Sequence, residues 1–211
     1  MRKNPGPFPL VLFLMTVLGC LPELALSAGW ELVTGVMDGD TIQLAKGQRV
    51  RYLGIDTPER GGDGSEEFLA EEAYLYNRRL VLNKEVRLEA GPEGRDRHGR
   101  VLAHVFLSNG LFVNGELIKK GLAQVLYHGP GMERFAELLQ WQREAIQDTR
   151  GIWAKALKET DDLYRGHGGS RRFHRQDCSL GKKIVRRNLV LFPSKKEAYR
   201  QGYSPCRICK P

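Results

Sequence analysis

The chain has 211 residues, enough for one core of ordinary size and a small appendage, and this length excludes two full domains. Its composition, 41% apolar and 27% charged residues, is typical of a soluble globular protein. The formal net charge of +8 indicates an anionic partner without identifying it.

The first 27 residues resemble a signal peptide. A basic start precedes an uncharged apolar run over residues 10–21, which is too short to span a bilayer. Ala25-Leu26-Ser27 then carries small residues at the positions that a signal peptidase reads. We therefore expect a secreted or periplasmic protein whose mature chain starts near Ala28. The alternative is a lipoprotein, because residues 17–20 resemble a lipobox that would lipidate Cys20.

Short β-rich runs separated by turns predict strands over residues 32–36, 41–44 and 50–55. Two further strands are expected over residues 85–89 and 101–107. A helix from about Ser65 to Val81 falls between these two groups, with Ser65 as its N-cap. Five strands with a helix after the third predict an α+β fold, a five-stranded barrel of the OB type with about three helices.

Two more helices complete the main domain. One is expected over residues 113–120, ended by Gly121, and the longest over residues 132–148, with an apolar stripe that indicates core packing. Residues 155–172 lack periodicity and predict a linker. The remaining residues 173–211 predict a small C-terminal module.

Two aspartates and a glutamate carry the first part of the chemistry. Asp40 and Asp56 leave the ends of neighbouring strands, so their carboxylates can converge on one cation. No His or Cys lies nearby, and oxygen donors alone favour calcium over zinc. Pro58 stiffens the loop before Glu59, which leaves that carboxylate free to act on a water molecule.

Two arginines carry the second part. Arg51 and Arg100 are always charged and can donate two hydrogen bonds to phosphate oxygens. A cation, a carboxylate base and two arginines are what the in-line attack of water on a phosphodiester requires. Each residue alone has an ordinary explanation as a turn or a solvated charge, whereas their joint occurrence in this order predicts a nuclease.

The same segments resemble the staphylococcal nuclease family. The resemblance rests on Asp-Gly-Asp-Thr at residues 38–41, Arg-x-x-Gly-Ile-Asp-Thr-Pro-Glu at 51–59 and Asp-x-x-Gly-Arg-x-Leu-Ala at 96–103. It implies an OB-fold domain over residues 28–154. It also implies calcium held by two carboxylates and a backbone carbonyl, a general base and two arginine clamps: Asp40, Asp56, Thr57, Glu59, Arg51 and Arg100.

The resemblance further implies cleavage of DNA and RNA that leaves 3′-phosphate ends, by an enzyme that we expect to be a monomer. His98 stands where a tyrosine often packs against a nucleotide, and Tyr127 is expected as a second aromatic wall of the substrate site. The alternative is a catalytically inactive module that binds nucleic acid or protein. Inactive modules lose the carboxylates or arginines, and this chain retains them.

The C-terminal module has its own pattern. His174-x3-Cys178 and Cys206-x2-Cys209 offer four ligands in two close pairs, a set that suits tetrahedral zinc. The segment resembles the small metal-binding domain of the Ada DNA-repair protein, with His in place of its first cysteine. The alternatives are a Cys206–Cys209 disulfide, or a module that folds without metal.

Positive charge is concentrated in the same part of the chain. Residues 28–163 have 18 Lys and Arg against 22 Asp and Glu, a net charge of −4, whereas residues 164–211 have 13 against 2, a net charge of +11. We expect this tail to hold nucleic acid while the barrel cuts it, so that its removal weakens binding and leaves catalysis intact. The alternative is a tail that is merely solvated, or that binds a protein or an anionic surface.

Overall fold

The computed structural model describes residues 29–61, 66–158 and 163–211. The expected signal peptide, the lipobox cysteine Cys20 and the proposed helix cap Ser65 lie outside these residues. Within the described ranges, no helix is both long and apolar enough to cross a membrane.

The N-terminal part of the chain forms a closed barrel. The described residues of this part contain the strands β1 (Glu31–Asp38), β2 (Thr41–Leu44), β3 (Arg49–Tyr52), β4 (Ile55–Asp56), β5 (Glu85–Arg95), β6 (Val101–Leu107) and β7 (Gln124–Val125). All of them except β4 and β7 belong to the barrel. The barrel has the order β1-β2-β3-β6-β5, closed by the pairing of β1 with β5. All neighbours are antiparallel except β3 and β6. The five predicted strands and the OB-type barrel are therefore confirmed.

The third predicted strand, over residues 50–55, is interrupted. Gly54 has φ +81°, in the left-handed region, and the side chains of Met132 and Leu138 lie where a Cβ would stand. The chain turns at this glycine and leaves the barrel, so that β4 pairs with β7 instead. As a result, Asp56 lies outside the barrel ladder.

Four helices accompany the barrel: α1 (Ala70–Val81), α2 (Val113–Lys119), α3 (Phe135–Gln147) and α4 (Trp153–Ala156). The three predicted helices are confirmed, but the predicted start of the first is wrong. The N–H of Glu67 donates to the carbonyl of Glu59, at 3.0 Å, so this residue belongs to the preceding loop. The residue before α1, Leu69, has φ 65° and is not helical.

The C-terminal part contains β8 (Tyr164–His167), β9 (Arg172–Arg175), α5 (Ser179–Lys182), a 3-10 helix (Arg186–Asn188), β10 (Leu189–Phe192), α6 (Lys195–Arg200) and β11 (Ser204–Pro205). Its sheet has the order β10-β8-β9-β11. The prediction of a linker over residues 155–172 is therefore wrong at Tyr164–His167. The buried positions of β8 are Tyr164 and Gly166, and a glycine contributes nothing to a hydropathy pattern.

The C-terminal part shares a core with the barrel domain. Ala145, Ile146 and Trp153 come from α3 and α4, and they pack with Tyr164, Phe173, Phe192, Ala198, Tyr199 and Tyr203. At the junction, Gly202 has φ +77°, and a Cβ there would lie 2.7 Å from Cζ of Phe135. Residues 163–211 are thus packed onto α3 rather than tethered at a distance.

Candidate nuclease centre

Two buried aspartates meet beside Thr57. Asp40 precedes β2 and Asp56 ends β4, and only 4% and 8% of their surfaces are exposed. The Oδ2 atom of Asp40 accepts hydrogen bonds from the backbone N–H of Thr57 at 2.9 Å and from its hydroxyl at 3.0 Å. The turn at Gly54 therefore brings together two carboxylates that are sixteen positions apart in sequence.

Arg51 joins the two carboxylates. Its Nη2 lies 2.9 Å from Oδ2 of Asp40 and 2.8 Å from Oδ1 of Asp56. Its Nη1 donates to the carbonyls of Tyr52 and Ile55, at 2.9 and 2.8 Å. Burial of the aspartates is tolerated because their charges are paired and hydrogen-bonded.

Glu59 lies at the open side of this group. Its side chain is 63% exposed, while its backbone is fastened by a hydrogen bond from its N–H to Oε2 of Glu67, at 3.1 Å. The surrounding protein still removes part of the water that would solvate the carboxyl group, and this desolvation raises the pKa of Glu59. The negative charges of Asp38, Asp56 and Asp40 raise the pKa further, against the opposing charge of Arg207. A carboxylate with a raised pKa is a stronger base, which suits proton abstraction from water.

The donor set fits a hard divalent cation. Asp38, Asp40, Asp56 and Glu59 supply only oxygen atoms, and burial together with the charge of Asp40 raises the pKa of Asp38. Such mutual repulsion among carboxylates is relieved by a bound cation. Asp40 and Asp56, the two buried members, are the residues that would hold it.

Arg100 lies in a different cleft. Its Nε and Nη2 each lie 2.7 Å from Oδ2 of Asp96. The cleft has a volume of about 460 Å³ and is lined largely by basic and ring side chains: Lys46, Arg49, Arg95, His98 and Arg100. Arg51 therefore contacts Asp40 and Asp56, whereas Arg100 is paired with Asp96. Arg100 would have to leave Asp96 to act near the two aspartates.

The two aromatic candidates, His98 and Tyr127, contact different neighbours. His98 is exposed, and its Nε2 accepts a hydrogen bond from Nε of Arg97, at 3.1 Å. Tyr127 packs edge-on against Phe135, with ring centroids 5.3 Å apart. The guanidinium of Arg171 lies 5.1 Å from the Tyr127 centroid, so the C-terminal part already covers one face of this ring.

A cavity of about 760 Å³ separates the aspartate group from the C-terminal part. Its acidic residues come from the barrel domain: Asp56, Glu59, Glu66 and Glu67. Its basic residues come from α4 and the C-terminal part: Lys155, Arg172, Lys195, Arg207 and Lys210. One wall is therefore negative and the other positive.

Arg207 crosses this cavity, a contact that the sequence analysis missed. Its Nη2 lies 3.1 Å from Oδ1 of Asp56 and 3.9 Å from Oε1 of Glu59. The contact spans 151 positions of sequence. The only sequence signal was the position of this arginine inside the Cys206-x2-Cys209 pair.

His174, Cys178, Cys206 and Cys209 come together in one buried cluster, with donor atoms all within 4.8 Å of one another. The three cysteines are free thiols. Burial raises the pKa of the Cys178 thiol, but the N–H groups of Gly181 and Leu180 point at its sulfur and bring the pKa below its ordinary value. Tetrahedral zinc needs donor atoms about 3.8 Å apart, so small side-chain movements would suffice.

Comparison with known proteins agrees with this architecture. The family model described as "Staphylococcal nuclease homologue" matches residues 49–155. Thermonucleases of Staphylococcus hyicus and Staphylococcus intermedius are each 35% identical, over 58% and 59% of this chain and 74% and 76% of their own lengths. Endonuclease YncB of Bacillus subtilis is also 35% identical, over 62% of this chain and 64% of its own. The matches confirm the predicted fold class and enzyme class: the chain belongs to the staphylococcal nuclease family of phosphodiester hydrolases.

Proposed function

We propose that this protein is a calcium-dependent nuclease that hydrolyses DNA and RNA and leaves 3′-phosphate ends. The observation that carries the proposal is the pairing of Asp40 and Asp56 through Arg51, beside a glutamate whose pKa is raised. The 3′-phosphate product and the acceptance of both nucleic acids are proposed because the resemblance to the family implies them.

Each residue has a distinct role in this proposal. Asp40, Asp56 and the backbone carbonyl of Thr57 would hold calcium, which supplies positive charge opposite the scissile phosphate. Glu59 takes a proton from the attacking water molecule. Arg51 and Arg100 stabilise the charge that builds on the phosphate oxygens. To do so, Arg100 must exchange Asp96 for substrate, and Arg51 must exchange one of its contacts with Asp40 and Asp56. Both exchanges are part of the proposal.

His98 and Tyr127 would contact bases or sugars of the bound strand. His98 lies in the basic cleft beside Arg100, where a phosphate backbone is attracted. Tyr127 has one face covered by Arg171, so stacking there would use the other face or require the arginine to move. We propose separately that the nuclease domain spans residues 28–154.

The C-terminal cluster would bind one zinc ion. His174 and three free cysteines form the closed, four-ligand set of a structural zinc site. This supports the resemblance of residues 173–211 to the Ada metal-binding domain. A Cys206–Cys209 disulfide, or a module without metal, is the alternative.

We also propose export, with the mature chain starting near Ala28, on the signal-like pattern of residues 1–27. The mass of the N-terminal peptide tests this, because a lipidated Cys20 would identify a lipoprotein instead. The protein is proposed to act as a monomer.

The activity is tested with full-length protein dialysed free of calcium. DNA and RNA oligonucleotides should remain intact until calcium is added and should then yield 3′-phosphate ends. Binding without cleavage at every calcium concentration would instead identify the alternative, an inactive nucleic-acid-binding module. Metal analysis of the same preparation before dialysis should find one zinc ion per chain.

A further inference from the structure

Arg207 occupies the turn that presents two of the four cluster ligands. Cys206 and Cys209 lie on either side of it, and the N–H of Ile208 donates to Sγ of Cys206, at 3.4 Å. The N–H of Lys210 donates to the carbonyl of Cys206, at 2.9 Å, and closes the turn. The side chain of Arg207 leaves this turn towards the nuclease centre.

The turn is held in place from two sides. The N–H of Cys206 donates to the carbonyl of Phe173, at 2.9 Å, and β11 pairs in parallel with β9 just before it. Nη1 of Arg172 donates to the carbonyl of Pro205, at 3.0 Å. On the other side, the sulfurs of Cys206 and Cys209 are anchored in the buried cluster. The cluster is therefore one of the two anchors of the turn that carries Arg207.

Basic side chains line the wall of the cavity around Arg207, in addition to the arginine that already pairs with the aspartates. Asp56 is already paired with Arg51 at 2.8 Å, and Arg207 adds a second guanidinium at 3.1 Å. Arg172 lines the same cavity. Lysines 155, 195 and 210 line the same wall of the cavity. This wall matches the charge of a phosphodiester backbone.

Arg207 is also free to exchange partners. Its side chain is 59% exposed, whereas Arg51, with 10% exposed, is enclosed by the barrel. Its contact with Glu59 is long, at 3.9 Å. An exposed guanidinium held by one carboxylate can turn to a phosphate that enters the cavity and donate two hydrogen bonds to it.

We infer that Arg207 is a phosphate-binding residue of the nuclease centre and that the His174–Cys178–Cys206–Cys209 cluster positions it. The ligand is a phosphodiester group of a nucleic-acid strand in the cavity between the two parts of the protein. The C-terminal part thus forms the second wall of the substrate site. This inference rests on the proposed nuclease function and adds a residue from outside the region that the family model matches.

The rival interpretation is that Arg207 only blocks the centre by neutralising Asp56. The two interpretations predict opposite effects of removing Arg207. A phosphate-binding residue improves affinity for the strand and the rate of cleavage, whereas a blocking residue reduces both.

The test uses the full chain and a short single-stranded DNA oligonucleotide. Fluorescence anisotropy in calcium-free buffer measures Kd without cleavage, and a calcium-containing assay measures kcat and KM. Arg207→Ala should weaken binding about tenfold, the loss expected for one hydrogen bond to a charged group. Arg207→Lys should fall between this variant and the wild type because it keeps the charge but not the fork. The matched control is Arg187→Ala, an exposed arginine of the C-terminal 3-10 helix that does not line the cavity.

Three outcomes would overturn the inference. The first is an affinity of Arg207→Ala equal to that of the Arg187→Ala control. The second is an Arg207→Ala variant that binds or cleaves better than the wild type, which would identify a blocking role. Cys209→Ser should lose zinc and reproduce the weakened binding, and Cys209→His should keep both zinc and affinity. Unchanged affinity in zinc-free Cys209→Ser would contradict positioning by the cluster. Failure of the wild type to cleave in calcium would refute the proposed function instead, since the binding measurement is independent of cleavage.

Discussion

Gln142 ties the barrel domain to the C-terminal part through a hydrogen bond from its Nε2 to the carbonyl of Tyr199, at 2.7 Å. The Oε1 atom of the same side chain accepts from the N–H of Val125, at 2.6 Å. Gln142 is fully buried. One amide on α3 therefore satisfies two backbone groups, one on β7 beside the nuclease centre and one on α6.

Replacing Gln142 by Ala should destabilise the whole protein. The N–H of Val125 would lose the side-chain oxygen that it donates to, and a buried unpaired group costs about 1–3 kcal/mol. The carbonyl of Tyr199 would keep the N–H of Gly202, at 2.9 Å, as its partner. We expect the free energy of unfolding to fall by about 1–3 kcal/mol, measured by urea denaturation. Gln140→Ala, on the exposed face of the same helix, should change it by less than about 0.5 kcal/mol. Equal effects of the two substitutions would contradict this role.

Deleting residues 164–211 should destabilise the nuclease domain rather than merely weaken substrate binding. The deletion exposes Trp153, Ala145 and Ile146, which pack against the C-terminal part in the shared core. We expect a lower Tm and binding of a hydrophobic dye, because apolar surface from α3 and α4 would face water. This replaces the expectation that the tail can be removed with catalysis intact. A truncated protein with the Tm of the full chain would restore that expectation.

Glu59→Gln should lower kcat by a factor of about 10²–10⁴, the contribution typical of a positioned general base. The amide keeps the shape of the side chain but cannot take a proton. Steady-state cleavage of an oligonucleotide in saturating calcium measures the effect. Glu72→Gln, at an exposed position of α1, is the control and should match the wild type. A Glu59→Gln variant with full activity would remove this residue from the mechanism.

His104 should make the protein less stable in mild acid. It is 2% exposed, and burial, with the nearby charge of Arg134, lowers its pKa from the ordinary value of 6.5 to about 4, against the opposing charge of Glu89. In the unfolded chain, His104 therefore binds a proton as the pH falls below 6.5, whereas in the folded protein it stays neutral down to about pH 4. Stability is complete above pH 6.5 and falls between these values, by up to about 3 kcal/mol.

Urea denaturation across this pH range tests the effect of His104. The His104→Phe variant, which cannot titrate, should show a flatter dependence of stability on pH than the wild type. His98→Gln changes an exposed histidine and should leave the profile as it is. Parallel profiles for the wild type and His104→Phe would assign the acid sensitivity to other groups.

Local patterns in the sequence predicted the barrel well. Short β-rich runs bounded by turns identified β2 and β6 to the residue. The apolar stripe predicted on the longest helix is buried in α3 at Leu138, Leu139, Ala145 and Ile146. The start of α1 was wrong because a hydrogen bond between Glu67 and Glu59 keeps the chain in a loop. The strand β8 was missed because its buried positions include Gly166.

The sequence by itself predicted the barrel and singled out Asp40 and Asp56 as oxygen donors. Both predictions depend on local information: β-rich runs between turns, and the chemistry of individual side chains. Spacing also singled out the four residues that the structure brings together in the C-terminal cluster. Only the tertiary structure decided that Arg51 joins Asp40 to Asp56 while Arg100 pairs with Asp96. The same holds for the contact of Arg207 with Asp56, since it depends on how two separately patterned parts pack through one shared core, and no local pattern encodes that packing.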